Sequence, residues 1–208
     1  MRSRTQEKRQ QIVKTAAELF EERGFGGTSM DAIVQRMGGS KATLYHHFRS
    51  KDELLRAVLD FDLTGWTDQR VDEFLDGDDL REGLAALGIA YLTRRLASPA
   101  VAHLRMGAAQ SPSSMIGREF YQGVLRPAWQ RLANRFERLM AEGWLVRADP
   151  WTAAMHWKGL NEHDICERQL LGDLSPPDAE DIELIAGNAA DAFLKIYGQK
   201  ADRELRWP

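Results

Sequence analysis

The apolar positions of this chain recur every three to four residues, and no stretch alternates as a strand would. In the first segment, Ile12, Ala16, Leu19 and Phe20 make one apolar stripe. Gly24 is placed to end that helix in a left-handed cap, with Gly26 and Gly27 making the turn. Thr28 and Asp31 have capping-box spacing and predict a short second helix that buries Ile33, Val34 and Met37. Gly38-Gly39 stops it. Ser40 is suited to cap a third helix, whose Leu44 and Phe48 lie four apart on one face. Ser50-Lys51-Asp52-Glu53 is a second capping box, opening a longer fourth helix with Leu54, Leu55, Val58, Leu59 and Phe61 turned inward.

The remainder predicts about five more helices. Asp78 or Asp79 starts one through Leu84, Leu87, Tyr91 and Leu92. Ser98-Pro99 pairs an N-cap with proline at the first helical position, and Ser111-Pro112 is a second such break. Pro127 opens a helix through Trp129, Leu132, Phe136 and Met140 that closes at Gly143. Asp149-Pro150 starts another that runs to Gly172. Ser175-Pro176-Pro177 introduces the last, through Ile182, Ile185, Ala189, Phe193 and Ile196, ending near Gly198. The expected fold is all-α with about nine helices: a three-helix head over residues 1–51 and a helical body over residues 52–208. No linker separates them, so the fourth helix is expected to couple one to the other.

Composition narrows the class. Hydrophobic residues make up 43% of the 208, enough for a sizeable core, and no apolar run of about 18 residues offers a membrane span. The mean hydropathy is −0.45. The polar start MRSRTQEKRQQ lacks a signal peptide's apolar stretch, and one cysteine, Cys166, excludes an internal disulfide. These features favour the cytoplasm. A net charge of −3 argues against a polyanion partner until its distribution is read. Residues 1–51 carry ten Lys/Arg against five Asp/Glu, a net +5, and the rest of the chain carries −8. A basic head on an acidic body is an electrostatic footprint for nucleic acid, although a solvated first helix would look the same.

Two short helices joined by a glycine turn, behind a longer bracing helix, form a helix-turn-helix arrangement. In the second of them Leu44 and Phe48 anchor the helix. Lys41, Ala42, Thr43, Tyr45, His46 and His47 remain for a groove. Small residues at the helix start allow close approach to base edges; Lys41 and the Thr43 hydroxyl can bond them, and the Thr43 methyl can meet a thymine methyl. Tyr45, His46, His47 and Lys51 suit phosphates. Adjacent histidines diverge by about 100° on a helix, which disfavours joint chelation of one ion.

Residues Gly24 to Leu55, with GGSKATLYHHFRSKDELL at their heart, resemble the DNA-binding domain of TetR-family transcriptional regulators. The resemblance implies a head on a ligand-binding body, a homodimer formed by the last two helices, and repression of double-stranded operator DNA relieved by a small inducer. It places Lys41, Ala42 and Thr43 at base-facing positions. Thr28, Ser40, Tyr45, His46 and Lys51 fall at phosphate-facing ones. The sequence departs from the family at Gly39, where a β-branched residue often packs under the turn, and at Ala42, which replaces a common glycine. The C-terminal half, from Arg118-Glu119-Phe120-Tyr121 to Phe193-Leu194-Lys195-Ile196-Tyr197-Gly198, is similar to an efflux-regulating subgroup and suggests an apolar or aromatic inducer.

Aromatic side chains punctuate the body: Phe61, Trp66, Phe120, Tyr121, Trp129, Trp144 and Trp157. Core packing and a ligand cavity both call for such residues. The candidates for ligand contact are Trp66, His103, Met106, Phe120, Trp129 and Trp157. His156, Leu160, His163 and Glu167 would share one stripe beside Cys166. A dimer seam is the preferred reading of that stripe, a metal or redox site the alternative. No cofactor and no metal is expected. A helical enzyme lacks its usual marks here, with no Gly-rich phosphate loop, nucleophile elbow or HExxH spacing. A ligand-independent DNA-binding protein is a further alternative, which thermal stabilisation by small molecules would separate from a sensor.

Overall fold

Gly24 is where the first helix loses its regularity. In the computed structural model, which describes residues 4–61, 68–110, 115–173 and 177–199, helix α1 (Arg4–Gly27) is interrupted there at φ 73°, ψ 160°. That is a conformation essentially reserved for glycine, and it differs from the expected left-handed cap in its ψ. Thr28 does not cap the next helix. Ser29 does, accepting from the Ala32 amide at 3.1 Å, and α2 runs Met30–Met37. Thr28 turns inward instead, its hydroxyl donating to the carbonyls of Leu19 (3.1 Å) and Gly24 (2.9 Å). Burial of Thr28 selects that alternative, because its hydroxyl needs a partner away from water and these two carbonyls supply it.

Gly38 (φ 65°, ψ 27°) closes α2 in the left-handed region, and Ser40 caps α3 (Lys41–His47) by accepting from the Thr43 amide. Ser50 caps α4 (Lys51–Phe61) by accepting from the Glu53 amide at 3.1 Å. The Glu53 carboxylate reaches back to the Arg49 amide at 2.7 Å, one residue before the expected partner. Ile12, Ala16, Leu19 and Phe20 of α1 are buried, as are Leu54, Leu55, Val58 and Leu59 of α4, and the two helices pack together.

The remaining elements are α5 (Asp68–Leu75), α6 (Leu80–Arg95), α7 (Ser98–Ala108), α8 (Met115–Phe120), a π-helical turn (Tyr121–Leu125), α9 (Arg126–Ala141), α10 (Pro150–Glu162), α11 (Ile165–Leu171) and α12 (Ala179–Tyr197). The described residues thus hold twelve α-helical segments, in an all-α fold richer in breaks than the expected nine. Helix α5 went unpredicted because Val71, Phe74 and Leu75 give an apolar face to a helix of only eight residues. Pro127 does not open α9 from a loop. The π turn immediately precedes it, consistent with a proline that donates no amide to the carbonyl four residues back. The helix from Pro150 does not reach Gly172. It breaks at His163, a non-glycine residue at φ 47°, so His163 and Glu167 are not on one continuous helix.

The chain forms two compact units, Met1–Gly65 with Ala102–Val124, and Trp66–Val101 with Leu125–Pro208. In the first, α4 packs against both α1 and α8, and Arg56 pairs with Glu119. The second is built round α6, which lies along α12, with α10 packed on α9 and α12. Its core includes Leu84, Leu87, Leu92, Phe136, Trp157 and Phe193. Gly88 permits the close approach: a β-carbon there would lie 2.4 Å from Asn161 Oδ1 and 2.9 Å from the Ala186 β-carbon. Arg135 is buried beneath this unit's surface, donating to the Leu75 carbonyl at 2.6 Å and to Asp76 at 2.8 Å.

Candidate nucleic-acid interface

Helix α3 is held by two side chains with no exposed surface, Leu44 and Phe48. Fully burying each contributes about 1.5–3 kcal/mol, which fixes which face points out. That outer face carries Lys41, Ala42, Tyr45 and His46, all exposed, with Thr43 and His47 half-buried beside them. Tyr45 keeps 47% of its surface accessible although its ring is large and apolar. The Arg9 guanidinium sits 4.9 Å from the Phe48 ring centroid, so the basic face of α1 adjoins the end of α3.

Two of the base-facing candidates have partners within the head. Lys41 Nζ donates to Asp31 Oδ2 at 2.9 Å, which raises the lysine pKa. The Thr43 hydroxyl lies 2.9 Å from that of Ser40. His46 and His47 meet edge-on, with centroids 5.3 Å apart. Burial and then the neighbouring charges of His46, Arg9 and Lys8 push the His47 pKa below its ordinary 6.5.

Thr28 and Lys51 are placed differently. Thr28 is 2% exposed and both its hydroxyl contacts are to carbonyls of α1. Lys51 Nζ donates to the carbonyls of Phe25 (2.7 Å) and Thr28 (2.9 Å). The structure therefore brings Ser40, Lys41, Ala42, Thr43, Tyr45, His46 and His47 onto one surface and commits Thr28 and Lys51 to the loop behind it. Sequence reasoning assigned Asp31 only to a cap. Its pairing with Lys41 had no local signal, because the two lie ten residues apart on different helices. The same holds for Arg36, which pairs bidentately with Glu22 at 2.8 and 3.0 Å.

The ligand candidates fall in both units. His103, Met106 and Phe120 are buried in the first, and a β-carbon at Gly107 would touch the Phe120 ring at 3.7 Å. Trp129 is half-buried and Trp157 fully buried in the second, where Tyr91 meets both rings edge-on or tilted at 5.4 and 5.7 Å. Trp66 and the Phe61 side chain lie outside the described residues. Beside this aromatic group, Glu162 accepts from Tyr91 and pairs with Lys158 and Arg95. Burial alone would raise the Glu162 pKa; the bonds from Lys158 and Tyr91 overcome it and hold the carboxylate charged.

Cys166 is buried, and that burial pushes its thiol up to about 11, which keeps it from acting as a thiolate. A cleft of about 350 Å³ beside Arg135 is lined by Asp72, Asp76, Arg138 and Glu142, a charged surface ill-suited to an apolar ligand. Among the described residues no helix is long and apolar enough to cross a membrane.

Similarity to known proteins agrees with this geometry. Residues 12–58 match the family described as bacterial regulatory proteins, tetR family, and residues 82–199 match the AefR-like transcriptional repressor C-terminal domain. The HTH-type transcriptional regulator UidR of Escherichia coli K12 is 42% identical over 59 residues. That alignment takes in 28% of this chain and 30% of UidR, so the chain spans under a third of this curated relative's length. The solved structure of the flavonoid-responsive regulator FrrA is 30% identical, with 92% of this chain and 97% of FrrA aligned at a TM-score of 0.72. A TetR-family regulator from Mesorhizobium loti MAFF303099 shares the fold at a TM-score of 0.87 and 23% identity, over 95% of this chain and all of its own. The chain belongs to the TetR family of bacterial transcriptional regulators.

Proposed function

We propose that this chain acts in the cytoplasm as a homodimeric repressor that reads operator DNA through α3 and leaves it when a small apolar or aromatic inducer binds. The observation that carries the reading is the division of α3: two fully buried anchors, Leu44 and Phe48, behind an outer face of Lys41, Ala42, Thr43, Tyr45, His46 and His47. Lys41, Ala42 and Thr43 face base edges in the major groove. Ser40, Tyr45, His46 and His47 take phosphates. Thr28 and Lys51 serve by fixing the join of α1 and α2 behind it.

The dimer forms through α10 and α12. Leu184 and Ile196 of α12 are 64% and 54% exposed, two separate apolar side chains that contact with a second copy would take from water. A two-fold axis there sets the two α3 helices about 34 Å apart, one turn of DNA. The aromatic side chains of the body and the response of FrrA to flavonoids both favour an aromatic inducer. His103, Met106, Phe120 and Trp129 are the side chains to vary in turn. Helix α8 packs on α4, and α4 on α1, so a shift of α8 would reach the head. An inducer acts only if it prefers one of the two states.

The test is selection of bound fragments from random-sequence duplex, followed by titration of the enriched duplex against flavonoids and simpler phenols. Enrichment of a palindrome, released by at least one compound that also raises Tm, is the expected result. Recovery of no preferred sequence would overturn the reading.

A further inference from the structure

We propose that Asp31 is a specificity-determining residue, which holds Lys41 away from non-specific DNA and releases it only to a matching base. The inference rests on α3 being the base-reading helix. Asp31 is the second residue of α2 and Lys41 the first of α3, and their 2.9 Å bond joins the two helix starts across the turn. Both side chains are more than half exposed, so the pair forms in competition with water and owes nothing to burial. Lys41 is the one cation among the three base-facing positions. The next hydrogen-bonding candidate, Thr43, is likewise engaged, by Ser40. The reading face thus meets DNA with both of its base-edge hydrogen-bonding groups already engaged within the head.

Engaging a phosphate or a mismatched base edge would cost Lys41 its carboxylate and leave Asp31 unpaired beside a polyanion. A guanine with its O6 and N7 acceptors returns a charged hydrogen bond in place of the one lost. The Asp31–Lys41 pair therefore weakens all binding somewhat and wrong binding most, which is how a repulsive element creates discrimination. Exposed pairs of this kind are individually weak, and the expected effects are correspondingly modest.

The experiment compares wild type with D31N, D31E, K41M and the D31N/K41M double variant. The probes are a random-sequence 30-bp duplex and the duplex that wild type enriches. Tm of each variant confirms a folded head. D31N is expected to bind the random duplex about three- to tenfold more tightly, with a salt slope steeper by about one unit per protomer. Its gain on the enriched duplex is expected to be smaller, so the ratio of the two affinities falls. D31E keeps the charge and the wild-type ratio. In the K41M background, D31N should change little. Equal gains with and without Lys41 would show plain charge repulsion and overturn the proposal, as would an unchanged random-duplex affinity in D31N. A wild type that enriches no sequence overturns the reading of α3 itself and this proposal with it.

Discussion

The Lys51 ammonium donates to the Phe25 carbonyl at 2.7 Å and stands 4.3 Å from the centroid of the same residue's ring. With its second bond to the Thr28 carbonyl, Lys51 ties the start of α4 to the last turn of α1 and to the residue that follows it. Lys51, expected to touch phosphate, thus makes two bonds within the head, at the join of α1 and α2.

Replacing Lys51 by Met keeps the stem and removes the donors. Two carbonyls lose a charged partner, at about 1–3 kcal/mol, and the ring contact adds about 0.5–1 kcal/mol. Lys51→Met should lower the Tm of the head and leave the salt slope of the folded protein on duplex DNA unchanged. A slope smaller by one unit per protomer with an unaltered Tm would place Lys51 on phosphate instead.

The turn before α3 holds a second compensation. A β-carbon on Gly39 would lie 2.7 Å from the terminal methyl of Met37, and Gly39 is not in the left-handed region. Met37 thus fills the space that a β-branched side chain at position 39 would take. Gly39→Val alone should destabilise the head by at most about 1 kcal/mol, because the atom it meets is the free end of the half-buried Met37 side chain. Met37→Ala alone should cost a similar amount by leaving a void. Together the two changes should cost less than their sum, since they share one space. Additive losses in chemical denaturation would refute the exchange.

The contrast between these residues shows what the sequence could carry. Leu44 and Phe48 were legible because burial of one face follows helical periodicity, a local pattern. Ser40 and Ser50 were legible because a cap acts within three residues. Thr28 and Ser29 competed for one cap, and the outcome depended on two carbonyls of α1 that only the folded loop brings near. Asp31–Lys41, Arg36–Glu22 and Lys51–Phe25 span 10, 14 and 26 residues, beyond any local pattern. The break at His163 was hidden for another reason. Apolar spacing continues through it, and no glycine or proline marks the turn.

His47 is expected to link pH to stability and, through the proposed phosphate contact, to binding. Burial and the nearby His46, Arg9 and Lys8 lower its folded pKa below 6.5. The unfolded chain therefore takes the proton first, and the head should lose stability as pH falls through about 6.5. DNA phosphates act oppositely, favouring the charged ring, so affinity should rise over the same fall in pH. The increase is bounded at about tenfold per pH unit for each protomer, and it levels off below the free His47 value. His47→Gln should flatten the affinity profile between pH 8 and 5.5. Wild type and His47→Gln profiles that superimpose would remove His47 from the interface.

Gly88 sets how closely α6 can approach α10 and α12. The Asn161 amide donates to the Trp157 carbonyl at 2.9 Å, which turns its oxygen toward α6, 2.4 Å from the β-carbon position of Gly88. Ala186 closes the other side, with its backbone Cα 3.4 Å from the same point. The asparagine cannot simply swing away, because it is fully buried among α6, α10 and α12. Adding one methyl at Gly88 must therefore move a helix. A gain in helix propensity of about 1 kcal/mol partly offsets the strain, and overpacking costs about 1–3 kcal/mol or more where backbone must shift. Gly88→Ala should lower the stability of the second unit, and since α10 and α12 form the proposed dimer seam, it should also weaken dimerisation. Gly159 of α10, where a β-carbon meets nothing within 4 Å of its own chain, provides the control for stability. Gly159→Ala should raise stability through propensity alone. Sedimentation and thermal melts of both variants read the two effects together. A Gly88→Ala protein as stable and as dimeric as wild type would mean that α6 and α12 are not held at this spacing.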